Sequence, residues 1–171
     1  MGSGDLRTYQ GVCSQRRLQK WQKEGKETTR SEPAITPATL AVKLDPAKRA
    51  LLADVKAAVG NPKFAFVDAR SPQEYKGEQV NAKRGGHIPG AVNVDWVTQF
   101  NPDGTVKSAP DLAKTYEDQK VAKDKQVIVY CQVGFRSAMD YFSLRLLGYN
   151  VSHYDASWNE WGNDTSLPIE Q

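Results

Sequence analysis

The stretch Val127-Ile-Val-Tyr-Cys-Gln-Val-Gly-Phe-Arg-Ser-Ala-Met-Asp140 decides how this chain is read. Val127 to Tyr130 give the strongest strand signal in the sequence, an apolar run rich in β-branched residues. A cysteine follows at once, then a loop with one glycine. The run from Ser137 to Leu147 then has helical spacing, with Met139, Phe142 and Leu146 expected on one side and Gly148 as its terminator. In open α/β sheets, sites lie beyond the carboxyl ends of strands, and Cys131 is expected at such an end. The backbone N–H groups of the loop Gln132-Val-Gly-Phe-Arg136, with the first unpaired amides of the helix, can converge on the sulfur and favour its thiolate. Gly134 suits such a cradle, whose backbone angles a side chain would resist. Taken alone, the cysteine reads equally as a small buried hydrophobe ending a core strand.

Working outward, Leu51, Leu52, Val55 and Val59 predict a helix with one apolar face, capped at Asp45-Pro46 and stopped by Gly60-Asn61-Pro62. Phe64-Ala-Phe-Val-Asp68 reads as a buried strand that delivers Asp68 to the sheet edge. Ala91 to Val94 gives a weaker strand after the turn Gly85-Gly-His-Ile-Pro-Gly90. Asp111 to Val121 predicts a further helix, and Val151 to Tyr154 a last strand. Helices alternating with short apolar strands indicate an α/β domain whose parallel sheet is covered on both faces.

The chain of 171 residues is 39% hydrophobic and 25% charged, with a net charge of +3. It contains no apolar run near the ~18 residues a membrane span requires. Its lysines are scattered, so no nucleic acid and no membrane are expected as partners. The two cysteines, Cys13 and Cys131, and the two histidines, His87 and His153, show no metal-ligand spacing. Neither a metal nor any other cofactor is expected. The start has no secretory pattern, so a cytoplasmic location is expected, or a periplasmic one for a form already cleaved.

Four stretches in register carry a resemblance. Cys131-Gln-Val-Gly-Phe-Arg-Ser137 matches C-x-x-G-x-R-S, the active-site loop of many rhodanese domains, which carry sulfane sulfur as a cysteine persulfide. Asp68-Ala-Arg-Ser-Pro-Gln-Glu-Tyr75 resembles D-x-R-S-x-x-E-Y/F of that family, and Gly86-His-Ile-Pro-Gly-Ala-Val-Asn93 its G-H-I-P-G-A-x-N. Tyr154-Asp-Ala-Ser-Trp-Asn-Glu-Trp-Gly162 is similar to the Y-D-G-S-W-x-E-W-G ending in the C-terminal catalytic domain of two-domain thiosulfate sulfurtransferases. The resemblance implies a rhodanese-like α/β domain over residues 36–171, a small parallel five-stranded sheet with helices on both faces. Residues 1–35 then read as a polar arm or the remnant of a preceding domain, because Leu18-Gln-Lys-Trp-Gln-Lys-Glu-Gly25 resembles the closing segment of the first domain in tandem relatives.

For chemistry, the resemblance implies Cys131 as the sulfur-carrying nucleophile. The expected substrate contacts are Gln132, Val133, Gly134, Phe135, Arg136 and Ser137 of the loop, together with Arg84. The implied partners are a small anionic sulfur donor such as thiosulfate and a thiol or cyanide acceptor. A sulfur-donating or sulfur-accepting protein is the alternative. Animal-type relatives place basic residues directly after the cysteine, where this chain has Gln132 and Val133, and an arginine where it has Glu74. These departures weaken the case for efficient thiosulfate use. A cysteine phosphatase needs C-x5-R, and that arginine position is Ser137 here. A non-catalytic binding module has no need of both Cys131 and Gly134. Among supporting residues, an i, i+4 ion pair of Arg70 with Glu74 is expected. His87 is expected to fasten a turn and Trp158 and Trp161 to pack the carboxyl-terminal turn against the sheet. His153 carries no signal, and Cys13 is expected to be an idle thiol.

Overall fold

The structure, a computed structural model, describes residues 18–171 apart from 35, 36, 38, 40 and 42. Cys13 and the expected domain boundary at residues 35–36 lie outside the described residues. The chain divides into two units. One comprises residues up to 45 together with 100–106. It includes helix α1 (Leu18–Lys23), whose Trp21 indole donates to the Glu27 carbonyl, and a turn closed by an antiparallel bridge of Phe100 with Val106.

The other unit, residues 46–99 with 107–171, carries the sheet. Its strands are β1 (Phe64–Asp68), β2 (Ala91–Asn93), β3 (Gln126–Tyr130) and β4 (Asn150–His153), all parallel, in the order β2-β1-β3-β4. Alternate residues point to opposite faces, and both faces are apolar. Phe66, Ile128 and Tyr130 join Val55 and Ala58 of α2 (Leu52–Ala58) and Trp158 and Trp161 of α6 (Ser157–Trp161) in one core. Val67, Val127, Val129 and Val151 join Tyr116 of α4 (Ala109–Asp118) and Leu144 of α5 (Ser137–Leu146) in the other. The short helix α3 (Pro72–Tyr75) follows β1 directly.

Three expectations are corrected. Among the described residues the sheet has four strands and not five: at the outer edge of β4 they make a single parallel bridge, Arg49 with His153. The segment there is a 3-10 turn, Pro46–Lys48, followed within four residues by α2, which leaves no room for a strand between the turn and that helix. For the same reason the helix expected from Asp45 begins only at Leu52, where the Asp54 carboxylate accepts the Leu51 amide. In α5, Leu146 is exposed and the fully buried positions are Ser137, Asp140, Ser143 and Leu144. That stripe can be mostly polar because Ser143 and one oxygen of Asp140 have partners: Ser143 donates to the Gln99 side-chain carbonyl, and the Tyr116 hydroxyl donates to Asp140 Oδ1 at 3.0 Å, while Oδ2 is buried without one.

Candidate active site

β3 ends at Tyr130, so Cys131 is the first residue beyond the carboxyl edge of the sheet. It is buried, with 1% of its surface exposed. Burial alone pushes the thiol up. Hydrogen bonds from the Ser137 hydroxyl and from the backbone amides of Ser137, Val133 and Arg136 outweigh it and hold the thiol below its ordinary value. The sulfur thus sits in a ring of donors supplied by Val133, Arg136 and Ser137, the last of which opens α5.

The ring is held from outside by the turn after β4. The Ser157 hydroxyl accepts the Cys131 amide at 3.1 Å and donates to the Tyr154 carbonyl at 2.9 Å. The Trp158 and Asn159 amides donate to the Cys131 and Gln132 carbonyls, each at 2.9 Å. Ser157 reaches this position with φ of +58°, a left-handed conformation that a non-glycine residue adopts only when its surroundings enforce it. Gly134 lies opposite, with φ of +85°, and a Cβ there would stand 2.7 Å from the Asp155 carbonyl. The glycine is therefore required twice, by its backbone angle and by the approach of the neighbouring turn.

Arg136 leads into α5 and donates both terminal nitrogens to Glu74 on α3, at 2.6 and 2.8 Å. Glu74 is buried and completes a capping box with Ser71, while Asn81 donates to its other side at 3.0 Å. Burial disfavours its charge, yet the bonds from Arg136, the Ser71 amide and Asn81 bring its carboxyl down to about 2. The ion pair of Arg70 with Glu74 expected from i, i+4 spacing does not form. Arg70 is buried and turns back onto Asp68, bonding both carboxylate oxygens, and it also donates to the Gly86 carbonyl and lies 4.5 Å over the Trp158 ring. The Asp68 carboxylate also accepts the Arg70 amide, at 2.9 Å.

The other expected contacts divide. Val133 and Phe135 turn their side chains outward, 50% and 75% exposed, on either side of Gly134. Gln132 donates its amide to the Asn81 carbonyl, while its side-chain carbonyl is buried without a hydrogen-bond partner. Ser137 is fully buried, and its hydroxyl and amide both help to hold the Cys131 thiol below its ordinary value. Arg84 does not join the ring. Its guanidinium donates to the carbonyls of Trp161, Gly162, Asp164 and Leu167, which commits every nitrogen to fastening the carboxyl-terminal segment. His87 bonds the Tyr75 carbonyl and stacks on the Tyr75 ring at 3.7 Å, a turn fastener as expected. Both tryptophans are buried in the core, as expected.

Sequence reasoning missed three parts of this arrangement. The Glu74 to Arg136 pair joins residues 62 apart and has no local signal. Ser157 lies in the Tyr154-Asp-Ala-Ser-Trp stretch already singled out, and its position two residues past Asp155 was the available clue. His153, read as silent, lies 2.8 Å from the Ser137 hydroxyl oxygen.

Residues 51–164 match the model of the family described as Rhodanese-like domain. The chain is 45% identical over 165 residues to the Sulfur carrier protein TtuD of Thermus thermophilus, covering 88% of this chain and 58% of that protein. It is 37% identical over 154 residues to the Thiosulfate sulfurtransferase of Azotobacter vinelandii, covering 90% of this chain and 57% of that one. The chain thus spans a little over half the length of these curated relatives. A solved structure of EanB in complex with ergothioneine superposes with a TM-score of 0.82 at 25% identity, covering 90% of this chain and 39% of that one.

Proposed function

The chain belongs to the rhodanese-like domain family, and from that premise we propose that it is a sulfurtransferase, moving sulfane sulfur from thiosulfate or a similar donor to a thiophilic acceptor through a persulfide on Cys131. The observation that carries this reading is the sulfur of Cys131, stabilised as thiolate by one hydroxyl and three backbone amides. The thiolate attacks the outer sulfur of thiosulfate; a bond forms between the two sulfurs, the sulfur–sulfur bond within the donor breaks, and sulfite leaves with its electron pair. Cyanide or an acceptor thiolate then attacks the terminal persulfide sulfur, and Cys131 regains its electron pair as thiolate. The negative charge passes between donor, persulfide and acceptor, and fixed dipoles around the sulfur stabilise it at each stage without reorganising.

The test is intact-protein mass spectrometry after the reduced chain and a Cys131→Ser variant meet thiosulfate. A gain of one sulfur atom on the wild type alone, reversed by cyanide, is expected. A gain on the variant, or none with thiosulfate, 3-mercaptopyruvate or a cysteine desulfurase, overturns the proposal.

A specific observation favours a second reading, a persulfide relay charged by a partner protein. Glu74 neutralises Arg136, and the side chains flanking the ring, Val133 and Phe135, are exposed and apolar. Such a rim offers little to a free dianion and suits a protein surface. Charging by a desulfurase at protein concentrations where thiosulfate gives none is the outcome that selects this reading.

A further inference from the structure

β4 ends at His153, and its imidazole is directed at the corner where the Cys131 loop becomes α5. Its Nε2 lies 2.8 Å from the Ser137 hydroxyl oxygen. That oxygen is 3.2 Å from the Gly134 carbonyl. Three groups therefore compete for the single hydroxyl proton of Ser137: the Cys131 sulfur, the Gly134 carbonyl and the imidazole.

Two acceptors, the Gly134 carbonyl and the Cys131 sulfur, already face the one hydroxyl proton, so the corner is short of a donor and a proton on Nε2 supplies it. With Nε2 protonated, the imidazole donates to the Ser137 oxygen 2.8 Å away, and the hydroxyl proton stays free of the ring. With the other tautomer, Nε2 would draw the hydroxyl proton to itself and leave the sulfur one donor short. We infer that His153 is a positioning residue for the sulfur chemistry: its Nε2–H donates to the Ser137 oxygen and so turns the one hydroxyl proton of Ser137 onto the Cys131 sulfur.

The surroundings keep the ring in its neutral form. Burial pulls the imidazole below its ordinary range, the nearby Arg49 guanidinium adds to that, and the Asp155 carboxylate and the Gly134 carbonyl oppose it. Arg49 and Asp155 bond each other at 3.2 Å, which offsets much of their separate influence. The Tyr141 ring of α5 closes the remaining side, 6.0 Å from the imidazole.

The inference rests on Cys131 being the sulfur carrier, but its test needs no sulfur donor. Carbon-13 NMR titration of the Cys131 β-carbon follows thiolate formation directly, in the wild type, His153→Leu, His153→Gln, Ser137→Ala and the Ser137→Ala/His153→Leu double variant. His153→Leu and Ser137→Ala are each expected to move the midpoint up by about one pH unit, the effect of one lost hydrogen bond to an anion. His153→Gln, which keeps an N–H at a similar reach, is expected to restore most of it. The double variant is expected to match Ser137→Ala alone, because the imidazole acts through the hydroxyl. An unchanged midpoint in Ser137→Ala or in folded His153→Leu overturns the inference, as does a His153→Leu shift of equal size when Ser137 is already absent. Should His153→Leu fail to fold, His153→Gln and Ser137→Ala decide the matter: an unchanged Ser137→Ala midpoint, or a His153→Gln midpoint shifted as far as that of Ser137→Ala, overturns it.

Discussion

Arg136 and Glu74 meet through two bonds, at 2.6 and 2.8 Å, and so the one cation of the cysteine loop is neutralised by a carboxylate from the helix that follows β1. The pair ties the mouth of the ring to a separate segment of chain. It also leaves the approach to Cys131 with almost no net charge from this loop.

The pair makes stability depend on pH in a definite direction. The Glu74 carboxyl stands at about 2 in the folded chain against 4.5 for a free glutamate. A depressed acid contributes its stabilisation fully above 4.5 and loses it as pH falls toward 2. Urea unfolding at a series of pH values is expected to show this loss, and Glu74→Gln to remove it. At neutral pH Glu74→Gln is expected to cost about 1–3 kcal/mol, since a charge-assisted pair is lost and Arg136 can still reach water.

The same variant changes recognition. With Glu74 neutral, Arg136 offers an uncompensated charge beside the ring, and the KM for thiosulfate is expected to fall and to become more sensitive to added salt. Steady-state kinetics at low and high ionic strength measure both.

Gly134→Ala is expected to be damaging out of proportion to its one methyl group. Its φ of +85° and the Asp155 carbonyl 2.7 Å away both resist a Cβ. A destabilisation of about 1–3 kcal/mol is expected, together with a higher Cys131 midpoint, because the loop must shift its amides to relieve the contact. Thermal unfolding and the carbon-13 titration check the two effects separately.

Arg84→Ala is expected to lower stability by about 1–3 kcal/mol, because it leaves buried carbonyls without donors. The KM for thiosulfate is expected to stay at the wild-type value, since the guanidinium is committed to Trp161, Gly162, Asp164 and Leu167. A rise in KM in a variant of unchanged stability would return Arg84 to the substrate.

Asp140 supplies the opposite sign. Burial raises its carboxyl well above the ordinary 3.8, and the Tyr116 bond only partly offsets this. A raised acid is fully stabilising only below 3.8, and stability drains as pH rises through the folded value. Asp140→Asn has nearly the same shape without the titrating proton, so its stability relative to wild type is expected to rise from pH 4 to pH 8. Unfolding midpoints at the two pH values give the comparison.

Most of the scaffold was legible because strands and loop announce themselves locally. Phe64–Asp68 was bounded correctly from its apolar run, and Val127 to Tyr130 fell one residue short of the observed strand. The cysteine, its glycine and the helix behind them follow from order along the chain. What stayed hidden is what long-range packing decides. Arg70 chose Asp68 over Glu74 because the turn after β1 folds its guanidinium back into the core. Glu74 was thereby left for Arg136. The buried face of α5 was misjudged because Asp140 and Ser143 look solvated in sequence, and only Tyr116 and Gln99 from other elements make their burial tolerable. His153 could not be read at all, since its significance lies in a hydroxyl 16 residues away.

Val133 and Phe135 bear on a wider question. Both contribute to the loop through backbone, and Val133 lends its amide to the sulfur, yet their exposed side chains hold none of the contacts that shape the ring. The trap for the thiolate is therefore separable from the face shown to visitors. Exchange of these two side chains is expected to leave the ring of donors intact and to alter only the surface that an incoming molecule meets, so that two substitutions suffice to change what the loop admits.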